Sequence, residues 1–426
     1  MRYISFILTV LLLIIIGINA CAPQPESISP PATTISVFNT VLNHKALAQA
    51  KSGIEARDSL YVIPFQLLEF QVGEAMELSP PSVMDKENPP PSGDMHDYTS
   101  MGPYWWPDPD AKGGLPYIRR DGVVNPERAQ FDKVPGATMA EAVRAFILMY
   151  YFTGDEKYAQ KATEFLKVWF LNPKTRMNPN LNYGQFIPGR SDGRSVGIIE
   201  SRNFVFLTEY EPLLKSSTYW TDADHEQFKS WMTEFLDWLL TSELGQEEQA
   251  RVNNHGSWCD YQLLALSQYC GNHEVGREVA ASIQGNRLEK QIEESGQQPE
   301  ELERTKSYSY SVFNLSALVR SAILADNYDI DLSHHNGGNS ALKQAIDYLI
   351  PYALGEKNWE HTQISSMDGS NEKMIFLLAY SQSKWPDERY KLALKNLSNT
   401  YPESAYLLTT QAFVNTNSGQ KIEEKK

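Results

Sequence analysis

Residues 138–170 read TMAEAVRAFILMYYFTGDEKYAQKATEFLKVWF. Met139, Val143, Phe146, Ile147 and Tyr150 recur at helical spacing, with Glu141 and Arg144 off that stripe. Thr153-Gly154-Asp155 interrupts the pattern, and Tyr158, Ala162, Phe165, Leu166 and Trp169 then form a second stripe. Two amphipathic helices joined by a short turn make an αα-hairpin. The same periodicity returns at Phe228, Met232, Phe235 and Leu239, across 260–269, and around 311–325, 341–354 and 372–382. Long alternating patterns are scarce, which leaves room for a few short strands only. No sequence repeat links the hairpins, so a regular solenoid is disfavoured. Many hairpins on one chain close most simply into an all-α fold, an incomplete (α/α) toroid with a central cleft.

The chain has 426 residues, a net charge of −15 and three cysteines. That length can bury a large core. Its start, MRYISFILTVLLLIIIGINAC, places Arg2 before an apolar run from Ile4 to Ile16. The run is short for a membrane span and reads as a signal-peptide core. It ends in Ile18-Asn19-Ala20-Cys21, which looks like a lipobox, although Asn19 is not its ideal residue. The expectation is a signal peptide over 1–20, lipidation of Cys21 and attachment to a bacterial envelope membrane; plain secretion is the alternative. A Pro- and Ser-rich tether over 21–35, a helical-toroid body over 36–415 and a polar tail over 416–426 complete the division. Cys259 and Cys270 lie 11 apart on a stretch that reads as helix, about 16 Å of rise, beyond disulfide reach. Both are expected as buried thiols. Neither a CxxC nor an HxxxH pair suggests a metal site.

The loops are long and aromatic. Residues 80–135 contain Tyr98, Tyr104, Trp105, Trp106 and Tyr117, next to Arg119 and Arg120. Flat aromatics beside guanidinium groups suit a sugar ring that bears a carboxylate: the ring face stacks and the cation pairs. Aromatics that merely pin the loop to the body are the other reading. A second polar loop, NYGQFIPGRSDGRSVGIIESRN, carries Gln185, Arg190, Arg194, Glu200 and Arg202. Further on, RVNNHGSWCDYQ crowds Asn253, Asn254 and His255 at a helix start, and ELERTKSYSYSVFN sets Arg304, Tyr308 and Tyr310 before another. His96 and His361 lie in loops within possible reach of a ligand, whereas His334-His335 reads as a solvated pair.

Together, PPSGDMHDYTSMGPYWWPDP, GLPYIRRDGVVNPE, NNHGSW and ERTKSYSYSVFNLSAL resemble the alginate-lyase-like polysaccharide lyases, over roughly residues 36–400. These are α/α-toroid enzymes that cleave polyuronates, and the likeness is to those of gut and marine Bacteroidetes that act on alginate and sometimes on glucuronan. The resemblance implies a catalytic set of Asn254, His255, Arg304 and Tyr310. The Arg-to-Tyr spacing of six favours Tyr310 over Tyr308. Tyr104, Trp105, Trp106, Arg119, Arg120, Gln185, Arg194, Arg202, Asn253 and Tyr308 are expected to bind substrate.

The chemistry explains the crowding. β-Elimination must remove a C5 proton alpha to a carboxylate and expel the C4 oxygen. The carboxylate's charge makes that proton very weakly acidic, so donors and cations are needed around it. An Asn254 amide and the Arg304 guanidinium fit that need, one such donor being worth roughly 3–4 kcal/mol. An unperturbed imidazole titrates near pH ~6.5 and an unperturbed phenol near ~10. A histidine therefore suits the base and Tyr310 the proton donor. In mannuronate and glucuronate C5–H and the C4 oxygen are anti, which calls for His255 and Tyr310 on opposite faces. In guluronate they are syn, and Tyr310 alone could serve. Arg and Asn supply the electrostatics, so no metal or cofactor is required.

Net acidity does not oppose a polyanionic substrate, because net charge sets solubility and the local site sets binding. Arg119, Arg120, Arg190, Arg194, Arg202, Arg251 and Arg304 are expected to line a positive cleft in an acidic body. The same acidity disfavours nucleic acid. Two rivals stand beside the lyase. A glycan-binding envelope lipoprotein would need the aromatics but no acid and base. A helical-toroid glycoside hydrolase would need two flanking carboxylates from Glu200, Asp260 and Glu303, which no spacing pairs.

Overall fold

A computed structural model describes residues 40–334 and 340–410. Cys21, the tether, His335 and the tail 416–426 lie outside the described residues.

The opening hairpin forms as expected. Lys133–Thr153 (α3) and Glu156–Leu166 (α4) meet at Gly154, whose φ of 71° is the left-handed cap position that glycine takes without steric cost. Asp155 then caps α4 through the backbone N–H of Lys157. Two earlier helices, His44–Glu55 (α1) and Ser59–Met76 (α2), also form a hairpin. Beyond α4 come Asp222–Thr241 (α5), Glu243–Gln249 (α6), Asn254–Cys270 (α7), His273–Ile283 (α8), Ser307–Ala325 (α9), Ala341–Ala353 (α10), Asp368–Lys384 (α11) and Glu388–Thr400 (α12).

Burial sorts these helices into two layers. The middle turns of α3, α7, α9 and α11 are buried on nearly every side, whereas α4, α5, α8, α10 and α12 bury one stripe and expose the rest. A helix apolar all round belongs inside and a striped one outside. Inner and outer helices alternate from α3 to α4 and again from α7 to α12, which is the (α/α) toroid. The α1–α2 pair joins its two ends: Phe65 meets Phe152 of α3 edge to face at 5.8 Å, and Asn43 N–H donates to the Thr409 carbonyl at 3.3 Å.

The long loop is organised rather than structureless. Thr99–Met101 (β1) pairs in parallel with Tyr183–Phe186 (β4), and Trp105–Trp106 (β2) pairs antiparallel with Ile118–Arg119 (β3), Trp105 opposite Arg119. Underneath, Lys86 and Asp132 form a buried ion pair at 3.1 Å, and Asp132 also accepts from the Thr99 N–H at 2.8 Å. Cys259 and Cys270 are both free on α7; Cys259 is buried, but Cys270 is only half-buried, because the helix's last turn emerges from the core.

Candidate active site

The inner helices α7 and α9 bring their first turns together, and the site is built on those two ends. Asn253 has extended backbone and caps α7, its side chain accepting from the His255 N–H at 3.1 Å. The cap is thus Asn253 and the helix starts at Asn254. Gly256 follows because the loop before it passes close by. A Cβ there would lie 2.0 Å from the Arg251 carbonyl oxygen. Arg287 locks that loop: it donates to the Arg251 and Gln249 carbonyls at 2.9 and 2.6 Å and pairs with buried Asp260 at 2.8 Å.

Each of the four expected catalytic residues has a specific partner. His255 Nδ1 lies 2.6 Å from Glu248 Oε1, and the Glu248 side chain is 1% exposed. Asn254 is buried, and its backbone and amide N–H groups donate to Glu301 at 2.7 and 2.8 Å. Arg304 donates to Asp121 at 2.9 Å and to the Tyr310 hydroxyl at 2.9 Å, and its guanidinium lies 3.9 Å from the centre of the Tyr310 ring. Tyr310 also shares a 2.9 Å hydrogen bond with the Tyr104 hydroxyl. An amide N–H of Asn254 is therefore committed to Glu301, while its Oδ1 finds no donor. Asn254 holds Glu301 with its backbone N–H and one amide N–H.

Electrostatics separate acid from clamp. Burial, with the Tyr104 hydroxyl beside it, pushes the Tyr310 phenol well above its ordinary value, against the pull of Arg304. Tyr310 therefore keeps its proton. Burial opposes charge on Arg304, but the Asp121 hydrogen bond and the surrounding charges hold it more firmly cationic than usual. Asp121 is held well below the carboxylate range despite its burial by hydrogen bonds from Arg304 and Thr305.

The aromatic loop flanks this centre. Arg190 and Arg194 stack over Trp105 at 5.4 and 5.7 Å, and Arg120 lies over Trp106 at 5.3 Å. Arg119 shares Asp121 with Arg304. Arg194 donates to the Gln185 carbonyl and side chain at 2.9 and 3.2 Å, and burial followed by repulsion from Arg251 and Arg119 pulls it down to about 10. Gln185 itself is buried, with a φ of 49°, a strained position for a residue with a side chain. It acts through Arg194 rather than by its own exposure. Of the arginines expected in one cleft, Arg194 lies within electrostatic reach of Arg251 and Arg119, and Arg119 shares Asp121 with Arg304.

Two expected binders lie elsewhere. Tyr308 is fully buried, donates to Asn371 at 2.7 Å and packs edge to face on Trp359 at 5.1 Å. Two residues from Tyr310 on a helix, it faces the opposite way, into the core. Arg202 lies one turn below the centre, stacked over Trp258 and Phe313 at 5.6 and 5.2 Å and bonded to the Ile199 carbonyl. Of the loop histidines, His96 binds the Arg176 carbonyl and His361 packs on Trp359; His334 is exposed and pairs with Asp331. The carboxylates Glu248, Glu301 and Asp121 were not singled out from sequence. Their only sequence signal is proximity to a basic residue: Glu301 is three before Arg304 and Asp121 directly follows Arg119-Arg120. The glycosidase alternative finds no pair: Glu200 is buried against Tyr98, Asp260 is locked to Arg287 and Glu303 is exposed.

The sequence profile of the alginate lyase family matches residues 82–359. An alginate lyase from Bacteroides ovatus, solved as a crystal structure, is 38% identical with a TM-score of 0.83, covering 88% of this chain and all of that one. A variant of alginate lyase A1-III in complex with a tetrasaccharide is 15% identical with a TM-score of 0.52, covering 90% of this chain and 99% of its own, a likeness of fold. Among curated proteins, none is significantly similar in sequence. A profile spanning most of the chain and a near-complete structural match at that identity agree: the chain belongs to the alginate lyase family and is a polysaccharide lyase.

Proposed function

We propose that this enzyme cleaves 1,4-linked polyuronate, alginate first, by β-elimination that leaves a 4,5-unsaturated uronate end. The observation that carries the reading is the Arg304–Tyr310–Tyr104 chain, two contacts of 2.9 Å, beside a histidine backed by a buried carboxylate. A phenol that keeps its proton suits the acid that protonates the departing C4 oxygen. His255 is the group left to take the C5 proton. Arg304 lies where it can draw charge from the C6 carboxylate as the bond to hydrogen breaks. Trp105 and Trp106 offer ring faces to neighbouring sugars, and Arg194, with no carboxylate in ion-pair reach among the described residues, suits the carboxylate of an adjacent uronate. The name of the B. ovatus relative supports alginate as the polymer.

Incubation with polymannuronate, polyguluronate and glucuronan, each followed by ultraviolet absorbance, tests this. A rise on at least one polymer, cut by about 10²-fold or more in Tyr310→Phe, is expected. Reducing ends without new absorbance would mean hydrolysis and defeat the reading. We also propose that the enzyme is delivered to the bacterial envelope and tethered through lipidated Cys21, on the strength of the Ile4–Ile16 run and the Ile18-Asn19-Ala20-Cys21 junction. Labelled palmitate should enter the wild type and not Cys21→Ala; equal labelling would rule the anchor out.

A further inference from the structure

We propose that Glu248 is a positioning residue for the elimination: its carboxylate fixes His255 in the tautomer protonated on Nδ1, so that Nε2 presents a bare lone pair to the C5 proton. This rests on the polyuronate reading above and names the device that gives His255 its role.

The geometry is specific. Glu248 is fully buried near the end of α6, and among the described residues its side chain takes one hydrogen bond, from His255 at 2.6 Å. Its second oxygen has no hydrogen-bond donor; Arg251 Nε approaches to 3.5 Å without bonding geometry. Glu248 thus caps no helix and accepts no backbone N–H, the usual compensations for a buried acid. Burying a carboxylate this way is costly for folding; Arg251 offsets its charge at 3.5 Å, and the group hydrogen-bonded to it among the described residues is the His255 imidazole. A carboxylate accepts, so Nδ1 must donate. Nδ1 faces buried Glu248, Nε2 is the ring nitrogen on the other edge, and 18% of the side chain is exposed.

The charges around the pair are Arg251 with its partner Glu247, Arg194 acting on Glu248, and Glu301 acting on His255 from below. None of them supplies a competing acceptor for Nδ1. In the elimination, Nε2 takes the C5 proton, the C5–H electrons form the C4=C5 bond, the C4–O bond breaks and Tyr310 gives its proton to that oxygen. The imidazolium so formed stands against the Glu248 carboxylate. Solvent then returns the proton from His255 to Tyr310. This route serves sugars whose C5–H is anti to the C4 oxygen. On guluronate the C5 proton lies on the same face as the C4 oxygen, away from Nε2, so Glu248 matters less.

Glu248→Gln keeps the size and removes the obligate acceptor, since the amide can donate to Nδ1 and allow the proton onto Nε2. Expected is a fall in kcat on polymannuronate of about 10²–10⁴-fold, with KM little changed and a much smaller fall on polyguluronate. Nitrogen-15 NMR of labelled wild type, with His255 assigned by its loss in His255→Ala, should show the Nδ1–H tautomer for the neutral ring; this reading needs no variant at position 248. An Nε2–H tautomer in the wild type overturns the proposal. So does an equal fall on both polymers, which marks a merely structural role. A wild type that produces no unsaturated uronate on any polymer overturns the substrate reading, and this proposal with it.

Discussion

Arg194 shows what a single unneutralised side chain implies. Arg304 and Arg119 share Asp121, and Arg251 has Glu247, whereas Arg194 is bonded to the neutral oxygens of Gln185. Its lowered value says that the free cleft disfavours its charge and that an incoming carboxylate would relieve it. Arg194→Met should raise KM on polyuronate, losing about 1.5–3 kcal/mol of binding, while kcat changes little. A fall in kcat with KM preserved would place Arg194 in the chemical step instead. At this scale the sequence was half legible. Asn254, His255, Arg304 and Tyr310 stood out by type and by resemblance. Their carboxylate partners did not, because Asp121 and Arg304 are 183 positions apart and nothing in spacing links them. Tyr308 and Tyr310 sit two apart, so one had to face inward; only packing decided which.

Among elements, the start of α7 is the most demanding. Gly256 lies against the Arg251 carbonyl with no room for a methyl group, and Arg287 prevents that loop from yielding. Gly256→Ala should destabilise the fold by about 2 kcal/mol or more and displace His255 with it. Thermal melting and lyase rate would both drop; an unchanged melting temperature would mean that the loop moves freely. The hairpins were readable where an outer helix shows a stripe or where Gly154 marks the turn. The α1–α2 hairpin escaped notice, since α2 places Pro64 and a nearly unbroken apolar run, SLYVIPFQLLEF, where a clean stripe was sought. Inner helices, buried on nearly every side, carry less periodicity, yet stretches of all four were legible, at 139–150, 260–269, 311–325 and 372–382. Strands of two to four residues lie below any pattern that a sequence can display.

On the scale of the whole molecule, an acidic protein keeps cations buried on its inner helices. Lys133, at the start of α3, is drawn down to about 8 by burial, with Glu200 opposing and Arg202 and Arg128 adding repulsion. Burial and Arg202 likewise lower Lys373 on α11. The folded Lys133 holds its proton less tightly than the unfolded chain, whose lysines titrate near 10.5. Its charged form is thus a penalty that is complete below pH 8 and fades as pH rises toward 10.5. Lys133→Met should therefore melt higher than wild type at pH 7, by up to about 3 kcal/mol, and the gap should close near pH 10. A gap that is absent at pH 7 would show the ammonium to be well solvated. Net charge, the one whole-molecule property plain in the sequence, revealed nothing of this interior.

Asp121 has a wider consequence. It receives Arg119, Arg304 and both the backbone and hydroxyl of Thr305, so one carboxylate fastens the tryptophan-bearing loop to the root of α9. On the proposed reading, a uronate that drew Arg304 to itself would loosen that latch. Substrate affinity and loop anchorage are then linked quantities, and each sugar bound weakens the clasp that shaped its site. Hydrogen exchange across 99–131 should quicken when oligouronate binds Tyr310→Phe, and slower exchange would show that the latch survives. An enzyme that must release a long, sticky polymer after every cut would have its means of letting go built into the grip itself.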